Sequence, residues 1–143
     1  MNIFSLEQCK MGQFKSVEEV DLFYSMLEAN VLTNQGSNST CSEYRPNADT
    51  SNKYVQTSRR INGIKITIRV HRVALLKKIR SVQVPEGLEA SHLCHNKRCI
   101  NLEHIVAETH AVNQSRIECA NIRMATGDSM YCTGYHEGNK KCV

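Results

Sequence analysis

The first regular pattern along the chain is an apolar repeat with helical spacing. The apolar residues recur every three or four positions, at Val17, Val20, Phe23, Leu27 and Val31. Ser16 precedes the repeat and Glu19 follows three residues later, which is a capping-box signature. The pattern predicts a helix from about residue 17 to 32 that buries one face. Residues 34–52 are rich in Asn, Ser, Thr and Gly and predict a loop.

Between residues 54 and 70 the pattern changes to a period of two, which is typical of strands. Asn62-Gly63 is the preferred two-residue type I′ turn, so the sequence predicts a hairpin with Ile61 opposite Ile64. This register gives an apolar face made of Val55, Ile61, Ile64, Ile66, Ile68 and Val70. It also places Arg59 on that face, and it sets Arg60 opposite Lys65 on the polar face.

The second half of the chain predicts three shorter elements and a tail. Residues 70–78 favour a helix, a short strand ends at His92, and Thr109 is the predicted N-cap of a helix from about 110 to 118. The Gly-rich tail from Asn121 has little periodicity. The predicted fold class is α+β, a small single domain over residues 1–143. Its parts are an N-terminal helix and loop (1–52), a basic hairpin and helix (53–80), a core (88–119) and a tail (119–143).

The basic residues are concentrated in the hairpin region, although the formal net charge is only +4. No acidic residue lies between Asp49 and Glu86, a stretch that holds nine of the eighteen Lys and Arg residues. Such a stretch favours a polyanionic partner, and a two-stranded ribbon fits the major groove of double-stranded DNA. The predicted DNA-contacting residues are Gln56, Ser58, Arg59, Arg60, Lys65, Thr67, Arg69 and Arg72. The alternative is an ordinary solvated sheet face.

Seven cysteines predict metal sites rather than disulfides. No run resembles a signal peptide or a membrane span, so we expect an intracellular protein whose thiols stay reduced. Three zinc ligands on one compact loop are Cys94, Cys99 and His104. Cys41 is the best fourth ligand, with Cys9 and His95 as weaker alternatives. A second set, whose metal would order the tail, is Cys119, Cys132, His136 and Cys142. Two structural zinc ions are therefore predicted.

His92 and Asn113 flank the first zinc loop and are the candidate catalytic pair. His92 lies two residues before Cys94, so a metal-bound loop would hold its imidazole rigidly. Asn113 lies on the predicted helix, and its amide oxygen is a hard ligand suited to Mg²⁺. A histidine base beside one hard cation makes a centre for phosphodiester hydrolysis. The competing interpretation is a core histidine without a chemical role.

The stretch from Ala90 to Cys99, followed by His104, Asn113 and Cys119, resembles the His-Cys box homing endonucleases of the ββα-metal (His-Me finger) group. The resemblance implies that residues 88–119 form a ββα-metal nuclease core. It also implies that His92 is the general base, that Asn113 binds the catalytic Mg²⁺ and that an upstream Cys, here Cys41, completes the first zinc site. The second zinc set is more widely spaced than in the family, and the arginine that contacts the scissile phosphate has three candidates, Arg59, Arg60 and Arg69.

The predicted function is Mg²⁺-dependent, zinc-stabilised hydrolysis of double-stranded DNA, as a site-specific endonuclease of intron homing. Two alternatives stay open: a zinc-stabilised nucleic-acid-binding module that does not cut, and a low-specificity nuclease of the same fold. The resemblance also implies a homodimer and a nuclear location. The family's long C-terminal arm has no counterpart after Cys142, which leaves a monomer open. No membrane partner is expected.

Overall fold

Helix α1 (Val17–Glu28) is the first element of the computed structural model, which describes residues 13–32, 41–45, 54–128, 132 and 142. The Ser16 hydroxyl accepts a hydrogen bond from the backbone N–H of Glu19, as an N-cap side chain does. The Glu19 carboxylate accepts the backbone N–H of Lys15 at 2.8 Å. The predicted capping pair therefore fixes the first turn of the helix.

The helix ends at Glu28 rather than near residue 32, because the chain that follows becomes a strand. Strand β1 (Val31–Leu32) pairs antiparallel with β2 (Glu43–Tyr44). The loop predicted over residues 34–52 was therefore wrong at residues 43 and 44. Pairing partners that are distant in sequence impose extended structure on a segment whose composition favours a loop, which a local pattern cannot reveal.

Strands β3 (Gln56–Ile61) and β4 (Ile64–Arg69) form the hairpin in the predicted register. Asn62 and Gly63 have φ angles of +51° and +81°, as a type I′ turn requires. The Asn62 amide donates to Glu19 Oε2 at 2.7 Å and so ties the hairpin tip to α1. The inward face buries Val55, Ile61, Ile66, Ile68 and Val70, while Ile64 at the tip is exposed.

Helix α2 (Val70–Ile79) follows β4 without a loop, as predicted. Lys77 and Arg80 at its C-terminal end pair with Asp21 of α1, at 3.0 Å and 3.3 Å. The hydrogen bond from Lys77, together with the charges of both cations, holds the pKa of Asp21 below its usual value. The carboxylate of Asp21 therefore offsets part of the positive charge at this end of the basic stretch.

The second half forms a ββα unit. Strand β5 (Glu89–His92) pairs antiparallel with β6 (Ile105–Glu108), and a 3₁₀ turn at Leu102–His104 leads into β6. Helix α3 (His110–Thr126) then packs on β5, and the Thr109 hydroxyl caps its first turn as predicted. The fold class is α+β, as predicted, and three small antiparallel sheets carry the described strands.

Helix α3 continues well past the predicted end near residue 118. Its last turns hold good helix formers without a clear apolar period: Ala120, Arg123, Met124 and Ala125. Gly127, with φ of +74°, ends the helix and donates its N–H to the Arg123 carbonyl. The aperiodic tail predicted from Asn121 was therefore wrong up to residue 126, because helix propensity and a C-cap sustain the helix where apolar spacing does not.

One hydrophobic cluster joins α1, the hairpin, α2 and the β5–β6 pair. Its fully buried members include Val20, Phe23, Leu27, Val70, Val73, Leu75, Ile100 and Ile105. The cluster holds β5 and the loop after it against α2, and this places the candidate site on a rigid base. Among the described helices, none has the length and apolar character needed to cross a membrane.

Candidate functional site

Four predicted zinc ligands meet in one group, here called the first thiol cluster: Cys41, Cys94, Cys99 and His104. Their ligand atoms all lie within 4.8 Å of one another. His104 Nδ1 is 3.4 Å from Cys99 Sγ and 3.5 Å from Cys41 Sγ. Tetrahedral zinc, with bonds of about 2.3 Å to sulfur and about 2.0 Å to nitrogen, separates a sulfur from a nitrogen ligand by about 3.5 Å. The donor set and its spacing therefore fit zinc.

Backbone pairing explains why Cys41 reaches a loop that is distant in sequence. The Tyr44 N–H donates to the Arg98 carbonyl, and the Ile100 N–H donates to the Ser42 carbonyl, both at 2.8 Å. These bonds dock the segment 41–45 along the loop that carries the other thiols. The cluster is thus assembled by strand-like pairing as well as by the ligands themselves.

The thiols of the first cluster perturb one another strongly. Contact with Cys41, then with Cys99, together with burial, raises the pKa of Cys94 far above its ordinary value. The pKa of Cys99 is raised as well, chiefly by Cys41. Thiolates this close need a cation to coexist, and zinc binds thiolates with release of their protons. None of the six described cysteines forms a disulfide, which is compatible with that role.

A second thiol cluster joins Cys119 of α3 to Cys132 and Cys142, again with sulfurs within 4.8 Å. Burial raises the pKa of Cys142 to about 12, while Arg116 donates to its sulfur at 3.6 Å. The predicted fourth ligand, His136, lies outside the described residues. Both groups are compatible with structural zinc.

The imidazole of His92 is held at the end of β5 with 7% of its surface exposed. Its Nε2 is 3.0 Å from the carbonyl oxygen of Cys99. A carbonyl oxygen can only accept, so Nε2 carries the proton and the lone pair of the neutral ring is on Nδ1. Burial lowers the pKa of His92 to about 4, so the ring is neutral at neutral pH. The thiol-bearing loop therefore fixes both the tautomer and the orientation of the ring.

The carboxamide of Asn113, on the first turn of α3, is hydrogen bonded at both ends. The Ser91 hydroxyl donates to its Oδ1 at 2.8 Å, and its Nδ2 donates to Glu89 Oε1 at 2.6 Å. Ser91 directly precedes His92 on β5, so the strand brings Asn113 and His92 to the same region. Both residues line one cavity of about 640 Å³. The two residues predicted from the sequence thus face a shared space.

Two aromatic rings stack beside His92. The His71 ring centroid lies 4.9 Å from that of His92 and 4.8 Å from that of Tyr54. Arg69 and Lys97 each approach the Tyr54 ring to 5.2 Å, a cation–π distance. His71 is buried, and its Nδ1 has no hydrogen-bond partner among the described residues. Burial, then the charges of His92 and two arginines, lowers the pKa of His71 to about 3.

A second cavity of about 430 Å³ adjoins the first and shares Tyr54 and Asn113 with it. Arg69 and Arg72 line this second cavity. The groove around Asn113 therefore combines a metal-type oxygen ligand, a neutral imidazole and two arginines, a set suited to binding and hydrolysing a phosphodiester.

A family model described as the zinc-binding loop region of homing endonuclease matches residues 37–143. The chain belongs to this homing-endonuclease family. Membership indicates a nuclease role and a DNA substrate, and it agrees with the resemblance drawn from the residues around His92. Comparison with curated proteins and with solved structures gave no match.

The hairpin of this homing-endonuclease chain presents most of the predicted DNA-contacting residues to solvent. Those that are exposed are Gln56, Arg60, Lys65, Thr67, Arg69 and Arg72. Ser58 is partly covered, and its hydroxyl lies 2.7 Å from that of Thr67. Arg59 points to the inward face, as its register position predicts. It donates to the Thr57 and Tyr44 hydroxyls at 2.8 Å and 3.2 Å, which accounts for an arginine among aliphatic neighbours.

The three arginines that compete for the scissile phosphate lie in different surroundings. Arg59 is engaged by the hydroxyls described above, and Arg60 donates to the Gly63 carbonyl at the hairpin tip at 3.2 Å. Arg69, in contrast, lines a cavity that Asn113 also lines. The geometry therefore separates candidates that the sequence alone left equal.

Supporting residues around the site were missed by the sequence analysis. Arg116 and Glu108 form a buried two-bond ion pair, at 2.5 Å and 2.6 Å, between α3 and β6. Glu89, which holds the Asn113 amide, was missed as well. No local pattern distinguishes these charges from solvated ones, because their partners lie on other elements. The one signal in the sequence was that Glu89 lies three residues before His92, the candidate base.

Proposed function

We propose that the chain is a Mg²⁺-dependent, zinc-stabilised endonuclease that hydrolyses phosphodiester bonds of double-stranded DNA. The observation that carries the proposal is the shared cavity of His92 and Asn113, with the imidazole lone pair on Nδ1. A simple DNA-binding zinc module needs neither an oriented imidazole nor a clamped carboxamide. The family supports nuclease activity, and this pair supplies the groups for it.

In the proposed reaction His92 acts as the general base. Nδ1 takes a proton from a water molecule whose oxygen attacks phosphorus, and the bond to the 3′ oxygen breaks. The products are a 5′-phosphate and a 3′-hydroxyl, the latter protonated from solvent. The Cys99 carbonyl, 3.0 Å from Nε2, stabilises the ring as it becomes positive.

Asn113 would hold the catalytic cation through Oδ1. Mg²⁺ bound there supplies positive charge to the phosphate and to the departing oxygen. The two thiol clusters would hold structural zinc, and the first of them would keep the loop beneath His92 in place. The donor types match the two metals, since thiolates suit zinc and an amide oxygen suits magnesium.

The direct test is cleavage of supercoiled plasmid with Mg²⁺. His92→Ala should lower the rate by about 10²- to 10⁴-fold, the usual contribution of a general base. Asn113→Ala should lower it too, and extra Mg²⁺ should restore part of the activity. Glu86→Ala, an exposed substitution outside both cavities, should cut like the wild type. Equal rates in all variants would contradict the roles of His92 and Asn113, and DNA binding without cleavage above background by the wild type would favour the non-cutting zinc module.

Arg69 is the proposed ligand of the scissile phosphate. Arg69→Ala should therefore reduce the cleavage rate at saturating DNA. Arg60→Ala, at the hairpin tip, should instead weaken DNA binding and reduce the steepness of the plot of log K against log salt concentration by about 1. Single-turnover rates and binding isotherms at several salt concentrations separate the two effects. A larger loss of cleavage rate for Arg60→Ala would reassign the phosphate contact.

Site-specific intron homing is the finer part of the proposal. The basic ribbon with Gln56, Lys65 and Thr67 on its exposed face supplies groups that read base edges in the major groove. A survey of cleavage sites in random DNA should recover one long consensus. Cuts scattered without a consensus would point to the low-specificity nuclease instead. The homodimer and the nuclear location stay predictions.

A further inference from the structure

The carboxylate of Glu89, at the start of β5, lies within hydrogen-bond distance of two side chains, the candidate metal ligand Asn113 and His110. Its Oε1 accepts a hydrogen bond from Asn113 Nδ2 at 2.6 Å and lies 3.2 Å from His110 Nδ1. Ser91, two residues further along the same strand, donates to Asn113 Oδ1 at 2.8 Å. One strand therefore contacts both ends of a single carboxamide.

We propose that Glu89 is a positioning residue that orients the Asn113 carboxamide and strengthens its oxygen as a ligand for a divalent cation. The proposal rests on the nuclease function proposed above, in which Asn113 Oδ1 binds Mg²⁺. Glu89 itself is not a ligand in this arrangement, because it faces Nδ2 rather than Oδ1.

The first argument concerns orientation. The two ends of a carboxamide have nearly the same shape, so an unclamped Asn can present either its oxygen or its NH₂ group to a cation. A carboxylate accepts hydrogen bonds and donates none, so Glu89 selects the NH₂ end. With the NH₂ end fixed by Glu89, the Ser91 hydroxyl donates to Oδ1 at the other end and uses one of its two lone-pair directions. The remaining lone pair of Oδ1 is the one a cation would use.

The second argument concerns charge. A negative acceptor on the N–H side draws the amide towards its charge-separated resonance form, which places more electron density on Oδ1. Partners of this kind, hydrogen bonded to a metal ligand from behind, commonly change metal affinity or activity about 10- to 100-fold. A neutral amide alone is a modest ligand for Mg²⁺, so this polarisation matters more here than it would for a carboxylate ligand.

The third argument separates positioning from stability. The Glu89 side chain is 38% exposed and that of His110 is 73% exposed. A side-chain contact this open to solvent contributes little to folding. Loss of the Glu89 carboxylate should therefore leave the fold intact, and any change in metal affinity can be assigned to the Asn113 amide.

The experiment measures plasmid cleavage as a function of Mg²⁺ concentration with the whole 143-residue chain in its zinc-loaded form. Glu89→Ala should raise the half-saturating Mg²⁺ concentration about 10-fold or more, with much of the maximal rate regained at saturating Mg²⁺. Glu89→Gln keeps an acceptor for Asn113 Nδ2 but removes the charge, so its shift should be smaller. Glu86→Ala should leave the Mg²⁺ dependence unchanged. Identical Mg²⁺ curves for the wild type and Glu89→Ala would overturn the proposal.

A second readout does not require cutting: binding of Mn²⁺, measured by electron paramagnetic resonance without DNA. Asn113→Ala defines the signal expected when the site is lost. Weaker Mn²⁺ binding by Glu89→Ala than by the wild type supports the positioning role, even if the wild type cuts no DNA and the nuclease proposal fails. If Asn113→Ala loses Mn²⁺ while Glu89→Ala keeps the wild-type affinity, the positioning proposal fails and the nuclease proposal stands.

Discussion

The two thiol clusters are anchored in different ways. In the first, backbone hydrogen bonds between segments 41–45 and 98–100 bring Cys41 to its partners, and one cluster residue, Cys99, also holds His92. In the second, the described anchors are side chains, with Cys119 buried on α3 and Arg116 donating to Cys142. Metal in the first cluster would therefore stabilise the catalytic geometry, whereas metal in the second would fasten the end of the chain to α3.

The largest expected effect comes from breaking the clusters one at a time. Cys99→Ser should lose about one zinc per chain and unfold the protein, because structural zinc contributes about 10–16 kcal/mol in zinc-finger peptides and a whole domain is stable by only about 5–15 kcal/mol. Cys132→Ser should also lose about one zinc, yet keep the hairpin and the His92 cavity folded, because α3 is the only described element that the second cluster joins. Elemental analysis and circular dichroism provide the two measurements.

Cys9→Ser is the matched control for these substitutions, since neither predicted ligand set uses Cys9 as its preferred ligand. It should keep the wild-type zinc content and melting curve. If Cys99→Ser and Cys132→Ser unfold the protein equally, the two thiol clusters do not have the different roles described above.

An intermediate effect is expected from the buried ion pair beside the second cluster. Arg116→Met leaves Glu108 charged and buried without a partner, which should cost about 3–5 kcal/mol in the free energy of unfolding. It should also weaken zinc retention by the second cluster, because the contact of Arg116 with Cys142 is lost. Urea denaturation measures the first effect and zinc release to a chelator measures the second.

Arg123→Met, on the same helix but only partly buried, provides the comparison. Arg123→Met should lower the free energy of unfolding by less than about 1 kcal/mol, as most substitutions near the surface do. If Arg116→Met lowers the free energy of unfolding by no more than Arg123→Met does, the ion pair contributes nothing to stability beyond its packing.

The smallest expected effect is a pH dependence beside the first cluster. Burial lowers the pKa of His71 to about 3, below the value of about 6.5 for an unfolded histidine. Between these two values only the unfolded chain binds the proton, so stability falls with pH below about 6.5 and levels off near the folded pKa. From about pH 7.5 to 5.5 this loss should be about 1.4 kcal/mol.

His71→Phe keeps a flat ring against Tyr54 and His92 but removes the titrating group. The variant should lose about 1.4 kcal/mol less than the wild type over that interval. Chemical denaturation of both proteins at each pH cancels the contributions of His92 and of the thiols. Parallel curves would show that His71 is not the proton acceptor on unfolding.

The elements that sequence reasoning predicted well are those with local determinants. The Asn62-Gly63 turn sets the hairpin register by its own backbone preferences, and every strand pair from Gln56–Arg69 to Ile61–Ile64 forms as predicted. Thr109 likewise caps α3 through its own hydroxyl. The close spacing of Cys94, Cys99 and His104 brings those three together within one loop.

Apart from the last turns of α3, which local helix propensity and a C-cap sustain, the features that escaped prediction depend on partners far away in sequence. Strand β2 exists because Tyr44 pairs with Val31 on one side and hydrogen bonds to Arg98 on the other. The contact of Glu89 with Asn113 requires β5 and α3 to be packed first. Composition and periodicity contain local preferences only, so they cannot supply such pairings.

The bond between Glu19 and Asn62 has a consequence for how a duplex would be bound. Because this hydrogen bond ties the tip of the ribbon to α1, it would resist bending of the ribbon towards straight B-form DNA. The duplex would have to do the bending, and its elastic cost depends on base sequence at positions the protein never touches. Flexible pyrimidine–purine steps would then be favoured in the target, and releasing the tip with Asn62→Gly would relax that preference.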